Sequence, residues 1–302
     1  MGSTLFLIFL FSLIVLIIFS PLIGLLIIAR MRRKREAESP PKEINYGRFA
    51  NNFSFKDAKA TCYLLITLII IYIGEMIFAV VPGENIFTFS APSLFAFGGL
   101  NQEIVTERNE WFRFFTAPLL HTNFMHVFCN IIVLFFGGIL LEEIVGPIWL
   151  LAIFFGGAFG GSIMSFEVGG GGRISVGSSG AVMAILASAI ILAIKLPDKN
   201  KRDSVQHGMF RILIPALIPQ IGSSVDYLAH FGGAIAGTII GLILYIAWSE
   251  DLQKVYPVLN PLAKLMAVSG IIISIVSFGI VAADYKQNSD EIKNEILKKA
   301  ST

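Results

Sequence analysis

Four polar residues stand in otherwise apolar runs of this chain with types suited to act together on one bond: Ser179, His230, His126 and Asn130. A serine beside an imidazole is a nucleophile with its base. Ser179 belongs to the stretch R-I-S-V-G-S-S-G-A-V-M-A at 173–184, which leads from a four-glycine loop at 169–172 into an apolar segment ending at Lys195. A helix begun at Ser179 and ended near Ile194 covers about 24 Å at 1.5 Å per residue, against a hydrocarbon core about 30 Å thick. Such a helix starts below the membrane surface, and the glycine loop must dip to meet it. Irregular backbone at that depth is tolerated only where protein buries it or where it lines a wet cavity. The free N–H groups of the first helical turn carry partial positive charge and suit an oxyanion. Gly177 and Gly180 allow a tight turn and close approach around the serine.

The chain has only four histidines. His126 and Asn130 are spaced i, i+4, on one helix face about one turn apart. On a continued helix His121 would point about 140° away from His126, so its expected role is to hold the preceding loop. His230 lies in Y-L-A-H-F-G-G-A-I-A-G-T-I-I-G, where Gly237 and Gly241 fall within about 20° of its direction. Together with Gly233 they form a face that permits close helix contact. The small residues Gly180, Ala184 and Ala187 offer a matching surface, and if the two meet, His230 is carried to Ser179. Asp226, four residues before His230, reads as a helix-start cap, and His207 as a solvated surface group. Polar side chains inside spans are costly and usually functional. Four on the outward side of their spans argue for a site.

The elements that must position them belong to a membrane protein. With 302 residues, 55% hydrophobic and 15% charged, and a mean hydropathy of +0.75, the chain is too apolar for a soluble domain. The formal charge of +2 decides nothing, since the placement of Lys and Arg matters more than their sum. Cys62 and Cys129 lie in apolar spans and read as small core residues, with neither a disulfide framework nor a zinc site. No cofactor is expected, and the basic run 30–35 reads as a topology determinant or lipid contact, not a nucleic-acid signal. Eight spans are expected, at 4–29, 61–81, 126–145, 147–166, 179–194, 209–221, 227–248 and 262–283. Residues 82–125 form an aromatic-rich interfacial segment, and 284–302 an outer tail. The basic clusters at 30–35 and 195–203, the latter read as a loop, agree on one topology, with the glycine loop outward. Glu75 should face the interior and make a structural hydrogen bond.

These residues resemble the rhomboid family of intramembrane serine proteases. The likeness covers 61–249: W-x-R-x-x-T at Trp111, Arg113 and Thr116, H-x(4)-H-x(3)-N at His121, His126 and Asn130, G-x-S-G at 177–180, and A-H-x-x-G at 229–233. Glu142, four before Gly146, also fits a family pattern with a structural role. The resemblance implies a six-helix core within a 1+6+1 layout: 1–60 a first helix and basic cytosolic linker, 61–250 the protease core, 251–302 a further helix and tail. It implies a Ser179–His230 dyad without a third acid, and an oxyanion hole from His126, Asn130 and the Ser179 N–H. Substrates would be single-span membrane proteins cut in or near their spans, in a bacterial cytoplasmic membrane with the site facing outward. Where the family commonly has Phe or Tyr four residues after the serine, this chain has Met183. The alternative is a catalytically inactive relative that binds or escorts membrane clients. A transporter would favour an inverted repeat, which is not apparent, and there is no HExxH motif.

Overall fold

The computed structural model describes residues 58–81, 84, 87–170, 172–196, 198–220, 225–247 and 259–300, with side chains to 291. The helices are α1 (Lys59–Ile77), the short α2 (Ala91–Ala96), α3 (Gln102–Arg108) and α4 (Arg113–Thr116), then α5 (Phe124–Val145), α6 (Pro147–Gly169), α7 (Ser179–Leu192), α8 (Lys199–Leu217), α9 (Tyr227–Ala247) and α10 (Asn260–Ala300). The fold is all-α, and the protein is an integral, multi-pass membrane protein. Among the described residues five helices are long and apolar enough to cross a bilayer: α1, α5, α6, α9 and Asn260–Glu291 within α10. The expected span at 4–29 lies outside the described residues.

The molecule is built around α7. Its 14 residues are almost all buried, and it reaches only about 21 Å at 1.5 Å per residue, too short to span alone. A 3-10 turn, Ala193–Lys195, extends its far end. Helices α6 and α9 pack on it most extensively, with α5 and α8 on its other sides. The glycine face of α9 makes this possible. A Cβ at Gly233 would lie 1.9 Å from the Gly180 carbonyl oxygen, and one at Gly237 2.3 Å from that of Ala184. Two of the three expected small-residue contacts form; the third partner is Ser188 instead of Ala187, facing Gly241 and donating to the Gly237 carbonyl at 2.8 Å.

Glu142 has the structural use its position suggested. Its carboxylate accepts from Ala60 N–H, Thr61 N–H and the Thr61 hydroxyl at 2.9, 2.8 and 2.7 Å, satisfying free donors at the start of α1. Glu75 is buried and accepts the His121 backbone N–H at 3.0 and 3.2 Å. The aromatic-rich segment does more than lie in the interface. Arg113 is 1% exposed and donates to the carbonyls of Phe95 and Gly99 at 2.8 and 2.9 Å, while its Nε meets Glu110 at 2.6 Å. Burial pushes its guanidinium down and the Glu110 carboxylate opposes that. Thr116 donates to the Gly98 carbonyl at 2.6 Å.

Four expectations are corrected. The basic 195–203 stretch is not all loop: Asp198 caps Asn200 and Lys201 N–H at 2.8 and 3.3 Å, so α8 starts within the charges. The weak span 209–221 is therefore the second half of a 19-residue helix, with Pro215 in its last turns and Pro219 beyond its end. The outer tail is no separate helix, because no glycine or proline follows Gly279 and α10 runs on through residue 300. Cys129 is exposed, on the opposite side of α5 from the buried Val127, Asn130 and Leu134 edge.

Candidate active site

The serine loop is held by the interfacial segment. Leu100 and Ser175 exchange backbone hydrogen bonds at 3.0 and 2.7 Å, Gly177 N–H donates to the Ala117 carbonyl at 3.0 Å, and Asn101 donates to the Arg173 carbonyl at 3.0 Å. Gly177 has φ +125, and a Cβ there would lie 2.6 and 2.7 Å from Cε1 and Nε2 of the His126 ring. Glycine at 177 thus provides the backbone turn and also the space in which the His126 imidazole lies against the serine loop. Ser179 opens α7, with Ser178 before it making no side-chain cap. Ser178 is completely buried and Ser179 is 7% exposed, so of the two only Ser179 has a path to a ligand.

Asn123 caps α5 by accepting His126 N–H at 2.9 Å, which sets the start of the helix that carries His126 and Asn130. Thr122 Oγ1 lies 3.1 Å from His126 Nδ1 and so orients the ring with Nε2 toward Gly177. Asn130 is 6% exposed, and its Nδ2 is buried without a hydrogen-bond partner among the described residues. A buried amide donor left free is expensive unless something else accepts from it.

His230 is 8% exposed, and its Nδ1 lies 2.7 Å from the Ala216 carbonyl oxygen. A carbonyl can only accept, so Nδ1 carries the proton and Nε2 of the neutral ring is left bare. Asp226 caps α9 through Ala229 N–H at 3.1 Å, as expected, and also accepts hydrogen bonds from the hydroxyls of Ser165, at 2.6 Å, and Ser175. That carboxylate ties α6, the serine loop and the start of the His230 helix together. His126 and His230 lie within electrostatic reach of one another. Of the hydrogen bonds among the described residues, none joins Ser179 to His230; their helices meet through Gly180 and Gly233.

Sequence reasoning missed four groups. His121 does hold the loop through its backbone, but its fully buried ring also comes to 5.1 Å from that of His126 between centroids, with Nε2 3.4 Å from Ser178 Oγ. The angular argument fails because α5 begins only at Phe124, leaving His121 off the helix. Thr122 and the Ala216 carbonyl carry no sequence signal for these contacts. Tyr227 does: three residues before His230 on α9, its ring stands edge-on to the imidazole at 6.0 Å and 73°. Met183 is buried in the core, 4% exposed. Among the described residues no cluster of His, Cys, Asp and Glu is placed to hold a metal ion.

The Rhomboid domain family model matches residues 108–247. RHOMBOID-like protein 5 of Arabidopsis thaliana is 30% identical over 210 residues, 67% of this chain and 65% of that protein. Rhomboid protease AarA of Providencia stuartii is 29% identical over 224 residues, 67% of this chain and 77% of that protein. Inactive RHOMBOID-like protein 8 of Arabidopsis thaliana is 32% identical over 149 residues, 49% of this chain and 42% of that protein. The chain thus spans just under two thirds of the first of these, and the set includes one protein named a protease and one named inactive. Because the matched domain takes in every helix that carries an expected site residue, from α5 through α9, this chain belongs to the rhomboid family.

Proposed function

We propose that the protein is an intramembrane serine endopeptidase that cuts single-span membrane proteins in or near their transmembrane segments. Residues 61–250 form its protease core, with 1–60 and 251–302 as additions at either end. Ser179 is the nucleophile and His230 the general base. The observation that carries this reading is the 2.7 Å contact of His230 Nδ1 with the Ala216 carbonyl oxygen, which assigns the ring proton to Nδ1 and leaves the opposite nitrogen bare on a helix packed against the start of α7. His230 Nε2 takes the Ser179 proton as Oγ attacks the scissile carbonyl, and returns it to the leaving amine. The oxyanion receives the Ser179 N–H, the free Asn130 amide and His126. Water then hydrolyses the acyl-enzyme by the same route in reverse.

A fluorophosphonate probe tests the assignment in detergent-solubilised protein. Wild type and Ser178→Ala should label and Ser179→Ala should not; labelling that survives in Ser179→Ala would sink it. The client-binding alternative, which the likeness to a protein named inactive keeps in view, predicts no labelling of wild type. Related proteins come from a bacterium and from plants, one of them named mitochondrial, so the proposal on location concerns orientation. The serine loop faces outward and the Lys199–Arg202 end of α8 faces the cytosol or its equivalent. Single cysteines at Gly172 and Lys199, with Cys62 and Cys129 replaced, should react with a membrane-impermeant thiol reagent at Gly172 only.

A further inference from the structure

Outside the serine site, an unfilled space lies between α1 and α10 and is roofed by the interfacial segment. It is a cavity of about 330 Å³, whose wall includes Ile71, Gly74, Glu75, Phe97, Leu120 and Phe278. That is the lower end of the range for small-molecule sites, about 300–1,000 Å³. Two features give it a direction. Phe78 also lines it and is 56% exposed, whereas Leu120 and Phe97 are 1% and 7% exposed, so Phe78 marks the mouth and the other two the floor. Tyr285 closes one end: its hydroxyl donates to the Phe78 carbonyl at 2.5 Å and its ring stacks on Phe97 at 6.2 Å and 6°. On both sides of the mouth the helix surfaces are apolar and open, with Ile70 and Ile77 on α1 at 63% and 69% and Ile275 on α10 at 67% exposure.

We propose that this cavity binds the hydrocarbon chain of a membrane lipid. Its mouth is continuous with the apolar faces of two membrane-spanning helices, so the medium in contact with it is hydrocarbon, and apolar walls give water few partners. Glu75 gives the site a connection to the serine. Its carboxylate holds the His121 N–H, and the His121 ring meets Ser178, the neighbour of Ser179. A chain in the cavity keeps water away from the Glu75–His121 contact and so supports the loop on which Ser179 is set. This inference rests on the membrane fold and not on the proposed catalysis.

The test uses the full-length protein in phosphatidylcholine vesicles doped with a phosphatidylcholine carrying a diazirine near the end of one acyl chain. After illumination, peptide mapping should find adducts at Phe97 or Leu120, buried from every other direction, as well as at the exposed Ile275. Gly74 lines the cavity and has nothing within 4 Å of where its Cβ would be, so Gly74→Leu starts a side chain into that space. It should abolish the Phe97 and Leu120 adducts and leave those at Ile275 unchanged. Ala282→Leu, from the opposite wall, gives the same readout if Gly74→Leu does not yield folded protein. Labelling of Ile275 without the floor residues, or floor labelling that survives both substitutions, overturns the proposal. Floor adducts that appear only after deletion of residues 1–57 overturn it in favour of the chain's own N-terminal apolar run as the occupant.

Discussion

Asn130 separates a catalytic arrangement from a merely polar one. Its Nδ2 has no hydrogen-bond partner among the described residues, so Asn130→Ala removes no donor bond described there and should leave thermal stability close to wild type. Losing one oxyanion donor costs about 10²–10³ in kcat. A fall of that size with an unchanged melting temperature is the expected result; equal turnover would remove Asn130 from the oxyanion hole. His230 is steadied on one side by the Ala216 carbonyl and on another by the edge-on Tyr227 ring. In the proposed mechanism the Tyr227 ring restrains the imidazole on that side. Tyr227→Leu should lower kcat while leaving KM nearly unchanged, and Met183→Tyr in that background should restore part of the loss. If Tyr227→Leu changes KM alone, the ring is not restraining the base.

Helix α8 is fastened at one end and linked to the site at the other. Lys201 pairs with Glu143 of α5 at 3.2 Å, and Gln206 donates to the Ile190 carbonyl at 3.0 Å, both in its first half. The ion pair is about one third exposed on each side, and such pairs contribute about 0–1 kcal/mol, so it aligns the helix more than it holds it. The buried edge of Val205, Met209 and Leu213 does most of the holding, while Phe210, Ile214 and Ile218 face outward. At the far end the helix stops at Leu217, before Pro219, and the Ala216 carbonyl, freed from intrahelical pairing, accepts a hydrogen bond from His230 Nδ1. Any outward swing of α8 that admits a substrate helix therefore also releases the base. Gly137 and Met209 offer a lock, since a Cβ at 137 would lie 4.0 Å from Met209 Sδ. A short thiol-reactive cross-linker joining Gly137→Cys to Met209→Cys, with the native cysteines replaced, should block cleavage of a membrane-embedded substrate and spare hydrolysis of a small soluble ester. Equal cleavage of both, with the cross-link confirmed, would show that α8 does not move for entry.

Across the assembled protein, contact between α7 and α9 is the core of the fold, and it packs the start of α7 against the helix that carries His230. A methyl group at Gly233 or Gly237 would meet backbone atoms, which cannot rotate aside as a side chain can. Overpacking typically costs about 1–3 kcal/mol. Gly237→Ala should therefore lower both the melting temperature and the activity. Gly208→Ala, where an added Cβ meets nothing within 4 Å, should change neither. A Gly237→Ala variant that folds and cleaves like wild type would mean the two helices do not meet as described.

Much of this was legible in the chain because spacing and polarity are local. The short reach of the Ser179 helix, the i, i+4 pairing of His126 with Asn130, the glycine face beside His230, and the structural duties of Glu75 and Asp226 all follow from residue types and helical period, while that of Glu142 follows from the family resemblance. The α8 start was legible too, in Asp198 ahead of a helix-favouring charged run, although hydropathy alone hid it. What the sequence could not supply are the contacts whose partners lie far apart along the chain or belong to the backbone. The Ala216 carbonyl has no residue signature, His121 reaches Ser178 only because α5 begins after it, and Gly177 serves His126 across 50 intervening positions. The cavity between α1 and α10 likewise depends on how two helices diverge. Such features arise from the close packing of the whole, in which each free donor, carbonyl and gap is defined by neighbours that the local pattern does not name.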